Sequence, residues 1–502
     1  MNANNAIITA WVRNTSMVVI GSALLVLNAC MVGPKYQRAS APVPSAYKEI
    51  PPAGTQPGAE WKPAQPSDGT LRGKWWEIYG DPELNALEEQ VNVSNQNLLA
   101  AEAQYRAATD AVRIARSALF PTVATAPSYA HSRTSGTLFN IRAGNLTGGA
   151  RNIYNLPVEI SYQADVWGSI HRSVNASVES AQASAALLEN ARLILQATLA
   201  QDYFELHGTD GERELLEATV KSYQEYLKLT QDRFKSGVAS GADVAQAETQ
   251  LRTAQAQLID LGVARAQFEH AIAILVGKPP AALSIPARKI QSPPPSVPAG
   301  VPSVLLERRP DIAAAERQMA VANEQIGIAK TAYYPALTLS GDGGFQSGSF
   351  SNWFLWSSRF WSFGPQLAQT LFDAGRRRAQ VAQAQAAYDA TVANYRQTVL
   401  TGFQQVEDNL AALRVLADEA RAEEEAVQSA RRALEISTYQ YKAGTASYLQ
   451  VLTSQTIALQ NEQAAVNVLT RRMVASVLLI EALGGGWDAS KLPSATDIAA
   501  GR

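Results

Sequence analysis

The chain of 502 residues is poor in most of the groups that carry chemistry. Its single cysteine, Cys30, leaves no internal disulfide to form. Its four histidines, His131, His171, His207 and His270, lack metal-ligand spacing. Acidic and basic residues nearly cancel, 45 against 43, so there is no basic excess with which to bind nucleic acid. No GxSxG, P-loop or CxxC motif occurs. Gly341-Asp342-Gly343-Gly344 is rich in glycine, but no helical pattern follows it to cradle phosphate. Only five methionines are present, which weighs against a carrier of soft metal ions, because those favour thioether ligands. The expectation is a protein that is not an enzyme and uses no cofactor and no metal. Apolar runs long enough for a transmembrane helix are also missing. Proline is absent between Pro157 and Pro279 and again between Pro365 and Pro493.

The one short apolar run, Met17–Leu27, follows Arg13 and ends in Leu27-Asn28-Ala29-Cys30. A charged start, an apolar centre and a small residue before the cut read as a secretory signal over residues 1–29. The arrangement resembles the lipobox of bacterial lipoproteins, in which the cysteine becomes the lipidated first residue. The alternative is an ordinary cleaved signal with a chance cysteine. Lipid on Cys30 would add a multi-chain anchor. Residues 30–70 carry eight prolines and read as an extended tether rather than a core.

The proline-free windows are rich in Ala, Gln, Glu, Arg and Leu and read as very long helices. Tyr388, Val392, Tyr395, Val399, Phe403, Val406, Leu410 and Leu413 alternate spacings of four and three, a helical seam near the coiled-coil period. A helix from Arg376 to about Gln440 would be about 95 Å long. Gly208 and Gly211 are expected to loosen its counterpart in the first half.

Two turns, FKSGVASGADV (234–244) and YKAGTASYLQV (441–451), share five residues at an offset of 207. Gly168 and Gly277 map onto Gly375 and Gly484 at the same offset, while Pro121 maps onto Pro335 at 214. An internal tandem duplication with a seven-residue insertion between Pro121 and Gly168 explains both values. Gly237 and Gly444 then sit at the tips of two helix hairpins, where a helix end tolerates positive φ.

Between each proline and its following glycine the composition turns to Ser, Thr, Gly and aromatics, with alternation at Val158, Ile160, Tyr162 and Ala164. Two strands per half give four per chain. Phe360–Phe363 and Leu367–Leu371 suit strands, joined to their partner by a loop at Gly348–Ser351. Four strands leave two open edges, and in a bilayer only a closed barrel pairs every strand. Four are too few to close, since membrane barrels begin at about eight, so copies of the chain are needed. Trp353, Trp356, Phe360 and Trp361 suit a membrane-interface girdle, against the alternative of an aromatic loop on a soluble core.

The residues at this point resemble a known family, the TolC-type outer-membrane efflux channels, in their lipoprotein branch. The likeness is carried by Cys30 with VGPKY (32–36), WWEIYGDPELNAL (75–87), VLLERRPDIAAAERQ (304–318), GIAKTAYYPAL (327–337), FDAGRRRA (372–379) and the tip YKAGTASYLQVL. It implies a mixed α and β membrane protein: a homotrimer with one 12-stranded outer-membrane β-barrel, four strands per chain, continuous with a long periplasmic α-helical barrel. On that plan residues 71–120 hold an equatorial segment and first helix. Residues 121–168 and 335–375 are barrel hairpins meeting helices at Pro121, Gly168, Pro335 and Gly375. Residues 169–278 and 376–483 are long helix hairpins, 279–302 a Pro-rich equatorial linker, 303–334 the second repeat's helix, and 484–502 an equatorial tail.

The resemblance also implies the partners: a periplasmic adaptor (membrane-fusion) protein, an inner-membrane efflux pump and outer-membrane lipids, without nucleic acid. The duct would be passive, would export drugs or other toxic small molecules, and would open at the tips. Asp243 matches an acidic tip position of the family, and it also suits a helix cap. Tyr441, Tyr448, Leu449 and Gln450 at the second tip would complete the gate. Arg376, Arg377 and Arg378 would mark the periplasmic rim, or simply start a solvated helix. A poreless periplasmic coiled-coil adaptor and a protein-secretion exit are the competing readings.

Overall fold

A computed structural model of the protein describes residues 31–49, 73–133, 150–297 and 306–500. The signal segment and Cys30 lie outside them. A 3-10 turn at Trp75–Tyr79 leads into α1 (Pro82–Ser94), which starts as its sequence predicts. Asp81 accepts the Glu83 and Leu84 amide N–H groups, and Pro82 occupies the first helical position. Then come α2 (Gln96–Ser117), β1 (Thr122–Thr125), β2 (Ser128–Ser132), β3 (Arg151–Ala164), α3 (Ser169–Lys235) and α4 (Gly241–Leu275). The second half holds α5 (Pro310–Thr331), β4 (Ala336–Ser347), β5 (Arg359–Ala368), α6 (Arg376–Lys442) and α7 (Tyr448–Ala482). A short α8 (Ala495–Ala500) closes the chain.

The two halves match in length. α3 and α6 both have 67 residues, α4 and α7 both 35, and α2 and α5 both 22. Each long helix is about 100 Å long at 1.5 Å per residue. Both α2 and α4 pack along α3, and both α5 and α7 pack along α6. The shorter pairs are joined end to end by equivalent bonds. Asn95 Nδ2 donates to Leu275 O at 2.8 Å, and Arg309 Nη1 donates to Ala482 O at 3.0 Å. The chain therefore presents four helical columns, with α3 also packed on α5 and α7.

Gly208 and Gly211 do not loosen α3, which runs unbroken past them. A Cβ on Gly208 would lie 2.3 Å from Thr470 Oγ1, so the residue serves the close approach of α7. The seam on α6 is buried from Tyr395 to Leu413, against the other columns. α7 is long and apolar enough to cross a bilayer by composition, which amends the expectation of no such run. It lies between α6 and α3 and buries Gln455, Thr470 and Ser476.

All strands pair antiparallel in the order β1–β3–β4–β5, with β2 also on β3. The first hairpin has three segments rather than two. β1 and β2 share one position and are parted at Ala126-Pro127, because proline has no N–H for the ladder. β5 ends at Ala368, so Gln369–Leu371 fall outside it, and its connection to β4 spans 348–358 with two 3-10 turns. Residues 73–94, 279–297 and 485–500 pack against the helical columns. Trp75 and Trp76 are buried in the main core with Tyr203, Phe204 and Phe403. Trp487 packs with Ala313 and Ala314.

Candidate functional site

The sheet has two chemically different faces. Register places Leu156, Val158, Ile160 and Tyr162 with Leu339, Gly341, Phe345, Trp361 and Phe363 on one side. The other side carries Asn155, Glu159, Ser161, Thr338, Ser340, Asp342, Gln346, Ser362 and Gln366. Phe360 also lies on this polar side, because alternation separates it from Trp361, so the four girdle aromatics do not share a face. Trp353 belongs to the apolar side. Its ring centroid is 5.5 Å from that of Tyr154, and its indole N–H donates to Phe345 O at 3.1 Å. Tyr129, Phe350 and Phe354 extend this cluster, while Trp356 lies under Arg359.

At the junctions, Pro121 and Pro335 immediately precede β1 and β4. Gly168 (φ 79°) and Gly375 (φ 88°) cap α3 and α6 in the left-handed region. Trp167 stacks on Tyr334 at 4.7 Å and donates to Pro335 O at 2.8 Å. Arg377 pairs with Asp373 at 2.6 Å over the Tyr333 ring.

Residues 31–49 are not a free tether. They have no helix or strand, yet side chains of both halves hold their backbone. Arg172 donates to Val32 O at 2.7 Å and pairs with Glu324 at 2.8 Å. Tyr36 donates to Glu316 Oε1 at 2.6 Å, and burial, with that carboxylate, pushes the phenol up. Farther along, Arg396 donates to Ser40 O, and Glu407 accepts the Lys48 and Glu49 amides. Tyr47 enters the main core. Proline content signalled extension but could not show this docking.

At the tips, Gly237 (φ 74°) and Gly444 (φ 78°) end α3 and α6 in the left-handed region. Ser240, rather than Asp243, is the N-cap of α4. Its hydroxyl accepts the Asp243 N–H at 3.1 Å, and Asp243 Oδ2 accepts the Ser240 N–H at 2.9 Å. This is a capping box. Tyr441 and Tyr448 are buried against each other, ring centroids 5.6 Å apart, while Leu449 is exposed and Gln450 donates to Gln440. Burial raises the Tyr448 phenol. The residue the sequence did not announce is Arg233. Its guanidinium stacks 4.6 Å above the Tyr441 ring and donates to Tyr441 O at 2.7 Å, tying one hairpin to the other. Tyr226 and Thr438 add a hydroxyl pair at 2.7 Å.

Contacts with residues 73–94 and 279–297 mark one side of α3. Gln196 accepts from Trp75, Tyr203 donates to Asp81 at 2.8 Å, and His207 meets Arg288 O at 2.9 Å. Asp210 accepts from Arg265 at 2.7 Å. Burial works to raise its pKa, but bonds from His207, Arg265 and the Arg288 amide outweigh that and hold it low. Helical period puts Asp202, Glu205 and Glu212 on the opposite side. Burial first, then Glu205, raises Asp202 to about 6. Burial also raises Glu205 and Glu212. No group of three or more metal-ligating side chains occurs among the described residues.

A sequence model described as outer membrane efflux protein matches residues 87–278 and again 301–485. The chain is 28% identical over 475 residues to the toluene efflux pump outer membrane protein TtgC of Pseudomonas putida, covering 94% of this chain and 96% of that one. It is 32% identical over 473 residues to the outer membrane protein OprJ of Pseudomonas aeruginosa, covering 93% and 96%. The solved outer-membrane channel OprN superposes with a TM-score of 0.82 at 27% identity, over 91% of this chain and 100% of that chain.

Proposed function

The chain belongs to the outer membrane efflux protein family, and from that premise we propose that three copies assemble into one exit duct across the outer membrane and periplasm. The family is one of channels rather than enzymes, and its place is the outer membrane. The observation that carries the assembly is the open sheet. Among the described residues the β1/β2 position pairs only with β3, and β5 only with β4. Such edges have no partner in lipid. An even number of strand positions makes β5 of one copy antiparallel to β1 of the next, so three copies close a 12-stranded barrel. Its apolar face would meet lipid and its polar face, with Glu159 and Asp342, would line the pore.

Below it, twelve helical columns would form the periplasmic tube. The equal element lengths of the two halves support a tandem duplication behind that quasi-repeat. Substrates would be toluene-like solvents or similar toxic small molecules, as the name of the Pseudomonas putida relative indicates, delivered by an inner-membrane pump through a periplasmic adaptor. Arg233, Tyr441, Tyr448, Leu449, Gln450 and Asp243 would govern the tips. Tyr441 and Tyr448 act here as packing that holds the hairpins together, not as lumen-lining groups. A poreless adaptor has no use for a sheet with one continuous apolar face. The test is planar-bilayer recording of purified protein: discrete conductance steps support the duct, and a reconstituted protein that passes no current contradicts it.

A further inference from the structure

We propose that the cavity between the 3-10 turn at Trp75–Tyr79, α3 and the chain after Gly484 binds a small organic anion through a carboxylate or phosphate group. The cavity is formed by one chain and has a volume of about 300 Å³, at the lower end of the range for small-molecule sites. Trp75, Trp76, Arg192, Gln196, Gly486 and Lys491 line it. Glycines bring its walls together. Gly484 (φ 90°) and Gly485 (φ 61°) turn the chain back onto α3, and a Cβ on Gly485 would lie 2.5 Å from Leu193 Cδ1. That turn sets Lys491 at the same cavity as Arg192.

The wall offers more donors than acceptors. Its neutral side-chain acceptors are taken: Gln196 Oε1 accepts from the Trp75 indole at 3.3 Å, and Asn92 Oδ1 accepts from Gln196 Nε2 at 2.9 Å. The one carboxylate in the wall, Glu189, accepts from Arg192 Nη1 at 2.6 Å. Three cations, Lys74, Arg192 and Lys491, stand against it, and Glu89, which takes Lys74, lies outside the wall. Lys491 Nζ donates to Gly486 O at 2.9 Å and has no carboxylate at ion-pair distance among the described residues. The Trp76 indole N–H and the Arg192 Nε–H are buried and reach no acceptor, and Trp76 as a whole is only 2% exposed. Buried donors are normally paired, because an unpaired one loses its water without replacement. The acceptor that completes this wall must therefore carry negative charge. A carboxylate or phosphate oxygen would gain charge-assisted bonds from Lys491 and Arg192, with Trp76 as the neutral third donor. A cationic ligand would meet like charge. Seating the anion would tie the chain after Gly484 to α3 and to the 3-10 turn.

The test is isothermal titration calorimetry on the full chain in detergent, with sodium phosphate and sodium acetate as separate probes and chloride exchanged to keep ionic strength fixed. At least one probe should bind saturably at a single site per chain. Lys491→Gln and Arg192→Gln should each weaken that binding about tenfold, and Trp76→Phe, which keeps a ring but loses the N–H, several-fold. Lys491 is exposed, so Lys491→Gln carries the test should a change at Arg192 or Trp76 fail to fold. The probe should also raise the melting temperature of the unaltered chain and leave that of Lys491→Gln where it was. Saturation by phosphate alone supports a site for phosphate esters, by acetate alone a site for carboxylates, and by both a site for the charge they share. No saturable heat with either probe, or equal affinity in the unaltered chain and Lys491→Gln, overturns the proposal.

Discussion

Single residues decide how the helical columns are joined. Gly277 (φ 71°) and Gly484 (φ 90°) end α4 and α7, and a Cβ would fall 2.2 Å from Ser94 O and 2.0 Å from Arg308 O. Both φ and space forbid a side chain. Gly484→Ala should destabilise by about 1–3 kcal/mol or more, read as a lower melting temperature of the detergent-extracted protein. An unchanged melting temperature would mean that this joint is not strained. Asp202 gives a pH signature. Its folded pKa of about 6 lies above the ordinary carboxyl value, so the native state holds the proton more tightly than the unfolded chain. Its contribution to stability is present at low pH and is lost as pH rises through about 6. If it lines the duct, cation preference should weaken as pH falls from 7 to 5. Asp202→Asn should flatten that change in single-channel recordings, and an unaltered profile would remove Asp202 from the lumen.

At the scale of elements, the two tips are built from equivalent sequence but are not equivalent. Arg233 ties hairpin one to hairpin two through Tyr441 O, and its counterpart 207 residues on is Gln440. In the proposed trimer, the seam inside a chain would hold a charge-assisted bond that the seam between chains could not repeat. Arg233→Ala should raise the open probability or conductance, and Gln440→Arg should lower it; the reverse order in bilayer recordings would contradict this account of the tips. The helices and their tips were legible because period, proline and glycine act locally. The seam on α6 and the glycines at 237 and 444 needed only that. The break at Pro127, the role of Gly208 against Thr470, and the docking of residues 31–49 depend on which segments meet in space. No local pattern records those meetings. Arg233 shows the same limit, because a basic residue late in a helix reads as an ordinary C-terminal charge.

At the scale of the molecule, everything depends on the sheet being one part of a closed barrel. Its four strand positions were readable from composition and alternation, and its two faces from the register of Ile160, Gly341 and Phe363 against Glu159, Asp342 and Ser362. The number of copies is not written in one chain. The need for copies rests on the open edges of β5 and of β1 with β2, and three is the number proposed here. Native mass spectrometry of the detergent-extracted protein tests this most directly. The account predicts a complex of three chains that persists when detergent is varied; a folded single chain, or an assembly of two or four, would contradict it.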